Sequence, residues 1–242
     1  MDRETALTFV FAAIISTIVG VANALAPIPD VKKMWSSNST IGVTSSPPQR
    51  VINFLVHLLF FWHSLPFITN SDGLLVLING VAILVDTAYI YMYIRCANPT
   101  RRVIMAVASG LSVLLFTIVA AVSLLGFKGH HREPVVMWCL FTAQMVACLW
   151  PIYSGYLVIT TQTVNHISLF EISNGVLAEL AWLCYGIYRH NTLFTVPRAV
   201  MCVLLMLQVM IYESVANHGV NIPNPQALRD MIVRVTPVNE DV

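Results

Sequence analysis

Four polar side chains lie inside long apolar stretches of the chain, where they could hold a small polar ligand. Asn79 offers both donors and an acceptor, and the indole of Trp182 offers an apolar face and an N–H donor. Because a lone buried charge is costly and a paired one is tolerated, we predict that Glu179 and Arg198 pair between neighbouring helices. Glu179 precedes Trp182 by three residues, so the two share one helix face.

The chemistry that suits these residues is recognition of a hydroxyl-rich molecule. The ring of Trp182 could stack on a pyranose, and the amide of Asn79 could bind its hydroxyls; an interhelical hydrogen bond or ordinary packing would also account for them. Polar groups inside apolar spans usually face a cavity or a partner, and Asn23 is a further candidate. Others of this kind are Asp86, Gln144, Glu171 and Gln208.

Enzyme, metal and cofactor sites are not predicted. The sequence has no HExxH, GxSxG or P-loop motif, and the five cysteines lack zinc spacing. His130 and His131 fall in a connector, where we interpret them as solvated. A retinal protein needs a buried lysine, whereas Lys32, Lys33 and Lys128 are all in loops.

The elements that must position these residues are seven apolar stretches, each long enough to cross a bilayer as a helix. They cover 6–26, 51–68, 74–95, 103–127, 135–159, 169–188 and 193–216. The chain is 57% hydrophobic and 10% charged, too few charges for a soluble domain. Its net charge of +1 gives no reason to expect nucleic acid. We therefore predict an all-α membrane protein with seven transmembrane helices in a lipid bilayer.

Basic residues set the predicted orientation, because Lys and Arg accumulate on the cytosolic side. They are concentrated in the 27–50 connector, the 95–102 connector and the tail 217–242. This places the N-terminus outside and the C-terminal tail in the cytosol. The sequon at Asn38 would then be cytosolic and should stay unmodified.

A weak internal echo indicates a duplication. Leu25-Ala26-Pro27-Ile28 recurs as Leu149-Trp150-Pro151-Ile152, and Trp62 recurs as Trp182, at an offset of about 120 residues. We predict two parallel three-helix repeats, 1–98 and 131–216, joined by a linker helix in 99–130 (3+1+3). Parallel repeats of this kind bind substrate near the middle of the membrane. Pro27 and Pro151, where spans one and five are expected to end, would be helix punctuation or hinges.

The landmarks of both blocks resemble the SWEET family of sugar transporters, over about 25–98 and 145–213. The matching positions are Leu25-Ala26-Pro27, Ser39-Thr40, Trp62, Leu65-Pro66-Phe67, Ile78-Asn79-Gly80, Asp86-Thr87-Ala88-Tyr89, Pro151, Thr163-Val164, Trp182, Tyr185-Gly186, Pro197, Gln208 and Tyr212.

The resemblance assigns roles to positions of this chain. Asn79 falls on the family's sugar-binding asparagine and Trp182 on its sugar-stacking tryptophan. His63 and Asn191 fall on the external gate pair. The four positions of the cytosolic proline gate are Pro27, Pro47 (or Pro48), Pro151 and Ser168.

The departures from the family concern the pocket. Arg198 replaces a second sugar-binding asparagine, Phe60 replaces a small serine, and Glu179 replaces a small residue; Ser168 replaces the fourth gate proline. The pocket has therefore gained an acid, a base and a bulky ring. A different sugar, an anionic molecule or a chain that no longer transports all remain open.

The resemblance implies a bidirectional, facilitative carrier of mono- or disaccharides that works by alternating access, without a cofactor. It favours the plasma membrane over an organelle membrane and implies a homo-oligomer. Proton coupling could involve Asp86 or Glu179, although nothing requires it. The alternatives are a PQ-loop-type carrier of amino acids or another small molecule, with Pro48-Gln49 as its dipeptide, and a seven-helix receptor.

Overall fold

The computed structural model describes residues 14–15, 17–41, 43, 45–69, 73–164 and 168–218, and these form helices and connectors without a strand. Helix α1 covers 17–25. The helices that follow are α2 (Ile28–Ser37), α3 (Pro47–His63), α4 (Gly73–Cys96), α5 (Pro99–Leu125), α6 (Arg132–Ala147), α7 (Leu149–Thr161), α8 (Leu169–Tyr188) and α9 (Thr192–His218). Most of the predicted tail, 219–242, and the first part of span one lie outside the described residues.

Four segments among the described residues are long and apolar enough to cross a membrane: Gly73–Cys96, Pro99–Leu125, Arg132–Thr161 and Thr192–Asn217. The remaining predicted spans correspond to α3, which has 17 residues, to α8, which carries Glu171 and Glu179, and to α1. The predicted class, an all-α multi-pass membrane protein, is confirmed.

The predicted connector 27–50 was wrong in part, because it contains helix α2. Helix α1 ends at residue 25, and Pro27 follows as the N-cap of α2, with Pro29 in the first turn, where a missing N–H costs no hydrogen bond. The carboxylate of Asp30 in that turn interacts favourably with the positive end of the helix dipole. The helix ends at Asn38, whose φ of 48° is left-handed. Because this segment is rich in polar residues, the sequence analysis did not identify its amphipathic helix.

Two other boundaries differ from the sequence prediction. Span two begins at Pro47 and ends at His63, and residues 64–69 form turns around Pro66, since proline cannot continue a helix. Span five is broken at Cys148, so α6 and α7 meet just before Pro151. Pro151 therefore lies in the first turn of α7 and does not end the span.

The helices pack in two groups with the same internal order. In the first group α4 packs against α2 and α3, and in the second α9 packs against α7 and α8. We call these groups the first and second halves. Helix α5 packs against α3, α4 and α6 and leaves most of its apolar surface exposed. The matching order agrees with the predicted duplication, which itself stays a prediction.

Candidate functional site

All six side chains predicted to bind a ligand line one cavity of about 100 Å³, which we call the central cavity. They come from α1, α3, α4, α8 and α9, so the cavity lies between the two halves. The six are Asn23, Phe60, Asn79, Glu179, Trp182 and Arg198. Whether they bind a substrate remains a prediction, but their convergence is a property of the fold.

The ion pair expected between Glu179 and Arg198 is present. Nη1 of Arg198 donates to both carboxylate oxygens, at 2.9 and 3.1 Å. The guanidinium carbon lies 5.0 Å from the ring centre of Phe60 and 5.3 Å from that of Phe194, within range of a cation–π interaction. Since Phe60 belongs to the first half and Arg198 to the second, the arginine bridges the cavity.

The lining of the central cavity also contains an aromatic ring and amide side chains. Trp182 packs edge-on against Tyr185 and Phe194. A Cβ built at Gly20 would lie 3.1 Å from the Trp182 ring, so the lack of a side chain at Gly20 lets α1 lie close to this ring. Asn79 donates its amide to the Leu75 carbonyl at 2.8 Å, which leaves the side-chain oxygen as its free acceptor among the described residues.

Next to the central cavity, toward the start of α3, lies a second cavity of about 110 Å³. Asn23, Asn53, His57 and Glu179 line both, so the two are contiguous. Nδ1 of His57 lies 2.8 Å from the carboxylate of Asp86, which is almost fully buried. This histidine–aspartate pair within the first half was not predicted.

Arg50 and Glu171, which line the second cavity, belong to a set of hydrogen bonds that we call the Arg50 network. Nη2 of Arg50 donates to Glu171 at 2.9 Å and to the Ser45 hydroxyl at 3.3 Å, and that hydroxyl donates to Glu171 at 2.5 Å. The Ser45 backbone is held by the carboxylate of Asp30 and the hydroxyl of Tyr89. Glu171 belongs to the second half and the other members to the first, so the network ties the halves together.

Residues at or directly before the four positions of the predicted proline gate line this second cavity. These lining residues are Ala26, Ser46, Trp150 and Ser168. Ser168 is itself a gate position, and the other three directly precede Pro27, Pro47 and Pro151. Ser168 also caps α8, accepting a hydrogen bond from the Glu171 backbone. The gate role of these positions stays a prediction.

The predicted external gate pair lies at the opposite end of α3. His63 and Asn191 line one cavity of about 60 Å³, but no hydrogen bond joins these two described side chains. Asn191 instead caps α9 through the Phe194 backbone. Nε2 of His63 is buried and has no partner among the described residues.

Sequence reasoning missed the link between Arg50 and Glu171. Arg50 was counted among loop residues, whereas it lies in the first turn of α3 and is buried. A signal was available: the offset of about 120 that relates Trp62 to Trp182 carries position 50 to 170, beside Glu171. Two opposite charges at equivalent starts of spans two and six should therefore have been expected to meet.

The fold and the central cavity define a class, the multi-pass helical membrane proteins with a polar site between two helical halves. Comparisons with known proteins narrow the class. The family described as "Sugar efflux transporter for intercellular exchange" matches residues 10–101. A solved structure titled as a eukaryotic SWEET transporter covers 89% of this chain and all of its own, at a TM-score of 0.75 and 19% identity.

Relatives found by sequence carry the same family name as that structure. The bidirectional sugar transporter SWEET15 of Oryza sativa subsp. indica is 28% identical over 214 residues, or 88% of this chain and 65% of that protein. SWEET3 of Arabidopsis thaliana is 27% identical over 79% of this chain and 73% of its own. The chain thus spans less than two thirds of the rice relative. These findings confirm the resemblance to the SWEET family, and the two relatives are named as bidirectional sugar transporters.

Proposed function

We propose that this protein is a facilitative, bidirectional carrier of mono- or disaccharides. The observation that carries the proposal is the central cavity, which joins the ring of Trp182, the amide of Asn79 and the Glu179–Arg198 pair between two helical halves. An aromatic face binds the apolar face of a pyranose, and side-chain donors and acceptors bind its hydroxyls. The relatives are named as bidirectional sugar transporters, which supports the same substrate class.

The mechanism that we propose is alternating access of the two halves around the cavity. The Arg50 network would be the closed gate at one end, and the cavity lined by His63 and Asn191 would be the gate at the other. Prolines near the second cavity (Pro27, Pro47 and Pro151) would act as hinges, since hinge positions absorb backbone change. The halves would correspond to 1–98 and 131–216, with 99–130 as the linker.

The proposed setting is the plasma membrane, with the N-terminus outside, the tail 217–242 in the cytosol and a homo-oligomer as the assembled form. In this orientation the Arg50 network faces the cytosol. The basic residues of the connectors support it through the positive-inside tendency.

The test is uptake into liposomes that contain the purified protein, with radiolabelled glucose, sucrose and a basic amino acid in parallel. We expect flux of at least one of the sugars and none of the amino acid. Flux of the amino acid alone would favour a PQ-loop-type carrier. No sugar flux by protein that elutes as a single folded species would contradict the proposal.

A further inference from the structure

We propose that the Glu179–Arg198 pair is a charge filter: it makes the central cavity accept neutral sugars and reject acidic and basic derivatives of the same ring. This inference rests on the proposed function and adds a specificity rule to it. The family resemblance places neither charge at these positions, so the rule follows from this chain's own residues.

The charged side chains that line the central cavity are paired. Among its described lining residues, only His57, Glu179 and Arg198 can carry charge. Glu179 and Arg198 neutralise one another at 2.9 Å, and His57 is held by the carboxylate of Asp86. A charged ligand would therefore enter without a counter-charge, in a site where both members of the pair are mostly buried. Burying an uncompensated charge is strongly unfavourable.

Arg198 contacts its carboxylate partner and two aromatic rings. Its Nη1 donates to Glu179, and its guanidinium carbon lies 5.0 and 5.3 Å from the ring centres of Phe60 and Phe194. These two ring centres are only 5.6 Å apart, so both rings contact the guanidinium from one side. Its Nε is buried and has no acceptor among the described residues. If the guanidinium turned away from its carboxylate toward an anionic ligand, it would lose both the ion pair and its contacts with the two rings.

The Glu179–Arg198 pair can still form hydrogen bonds with a neutral ligand. A carboxylate oxygen that already accepts one hydrogen bond keeps a lone pair for a second, and the guanidinium edge keeps N–H donors. Adjacent hydroxyls on a sugar can donate to Glu179 and accept from Arg198 at the same time. Hydrogen bonds to charged groups are the stronger kind, so a neutral diol gains from the pair without breaking it.

The experiment compares three ligands with the same ring: glucose, glucuronate and protonated glucosamine. Binding is followed by the intrinsic tryptophan fluorescence of the purified protein, and transport by uptake into liposomes. For the wild type we expect glucose to be preferred to both charged rings by about tenfold or more. Equal handling of glucose and glucuronate by the wild type would overturn the inference.

Three variants locate the filter. Glu179→Gln leaves an unpaired guanidinium and should shift the preference toward glucuronate; Arg198→Gln leaves an unpaired carboxylate and should shift it toward glucosamine, each by about tenfold. The double variant is neutral again and should recover the preference for glucose, at lower overall affinity. Lys128→Gln, which changes an exposed charge in a connector, is the matched control and should leave the ratios unchanged.

The outcomes separate the two proposals. If the single variants do not fold, the wild type and the double variant still decide, because both must prefer the neutral ring. Unchanged ratios in folded single variants would overturn the filter while leaving sugar transport intact. Binding of glucose without flux of any sugar would contradict the proposed function and leave the filter standing, whereas no binding of glucose would overturn the filter.

Discussion

Trp182 and Gly20 show how one small residue shapes the candidate site. The Trp182 indole lies against the wall of the central cavity, and the absence of a side chain at Gly20 lets α1 come within van der Waals contact of it. Aromatic stacking contributes through a large flat face, so its position relative to the amide of Asn79 decides whether a pyranose fits.

Replacement of Trp182 tests the stacking role. Trp182→Ala removes the flat face and should lower sugar uptake by about tenfold or more, while Trp182→Phe keeps part of the face and should retain part of the uptake. Uptake of labelled glucose and sucrose into liposomes measures the effect. Full uptake by Trp182→Ala would exclude this residue from the site.

A methyl group at Gly20 should disturb the same contact. A Cβ there lies 3.1 Å from Trp182 and 3.3 Å from Ile78, so the ring must move by a few tenths of an ångström. We expect Gly20→Ala to weaken sugar binding severalfold without unfolding the protein, because alanine is the better helix former by about 1 kcal/mol. The matched control is Gly110→Ala in α5, where nothing lies within 4 Å; equal binding in both variants would contradict the prediction.

At the scale of helices, the Arg50 network is the feature that joins the halves. Its ion pair connects the first turn of α3 to the first turn of α8, with side chains only 10% and 19% exposed. Breaking a buried pair costs about 3–5 kcal/mol, since one charge is left without a partner. In the proposed carrier, we expect this contact to favour closure of the end next to the second cavity.

Exchanging the charges of Arg50 and Glu171 tests whether their ion pair is a gate. Arg50→Glu or Glu171→Arg alone should open the end next to the second cavity and lower uptake. The double exchange should partly restore the closed end and partly restore uptake. The readout is labelling of a cysteine introduced at Ser154, which lines the second cavity, together with uptake. Because Cys96, Cys139 and Cys184 are not fully buried, the labelling is done in a background with the native cysteines replaced. Independent effects of the two substitutions, without rescue, would show that the pair is not a gate.

The helices also show what the sequence could and could not predict. The hydropathy of the spans was enough for the fold class, and the depth of Asn79, Trp182, Glu179 and Arg198 was enough to expect one site, because polar groups in lipid must face a partner or a cavity. Helix α2 was missed because its polar residues resemble those of a loop. The break in span five was misplaced: Pro151 signals the end of a helix, and the break lies at Cys148, three residues before it. The Arg50–Glu171 contact depends on how residues 121 apart in sequence pack.

For the whole molecule, orientation is the first property to establish. If the N-terminus is outside, the sequon Asn38-Ser39-Thr40 at the end of α2 is cytosolic, and the protein expressed in eukaryotic cells should carry no glycan there. An engineered sequon in the connector at 126–131 should be modified instead. Mass shifts after glycosidase treatment report both, and a glycan on Asn38 would reverse the proposed orientation.

We propose that two helical halves carry a neutral sugar in either direction around one site. The most direct measurement is counterflow: liposomes containing the protein are preloaded with unlabelled sugar, and entry of the labelled sugar is followed without any ion gradient. The account predicts a transient accumulation of label that disappears in Trp182→Ala. Entry that requires a proton or sodium gradient, or no accumulation by folded wild-type protein, would contradict it.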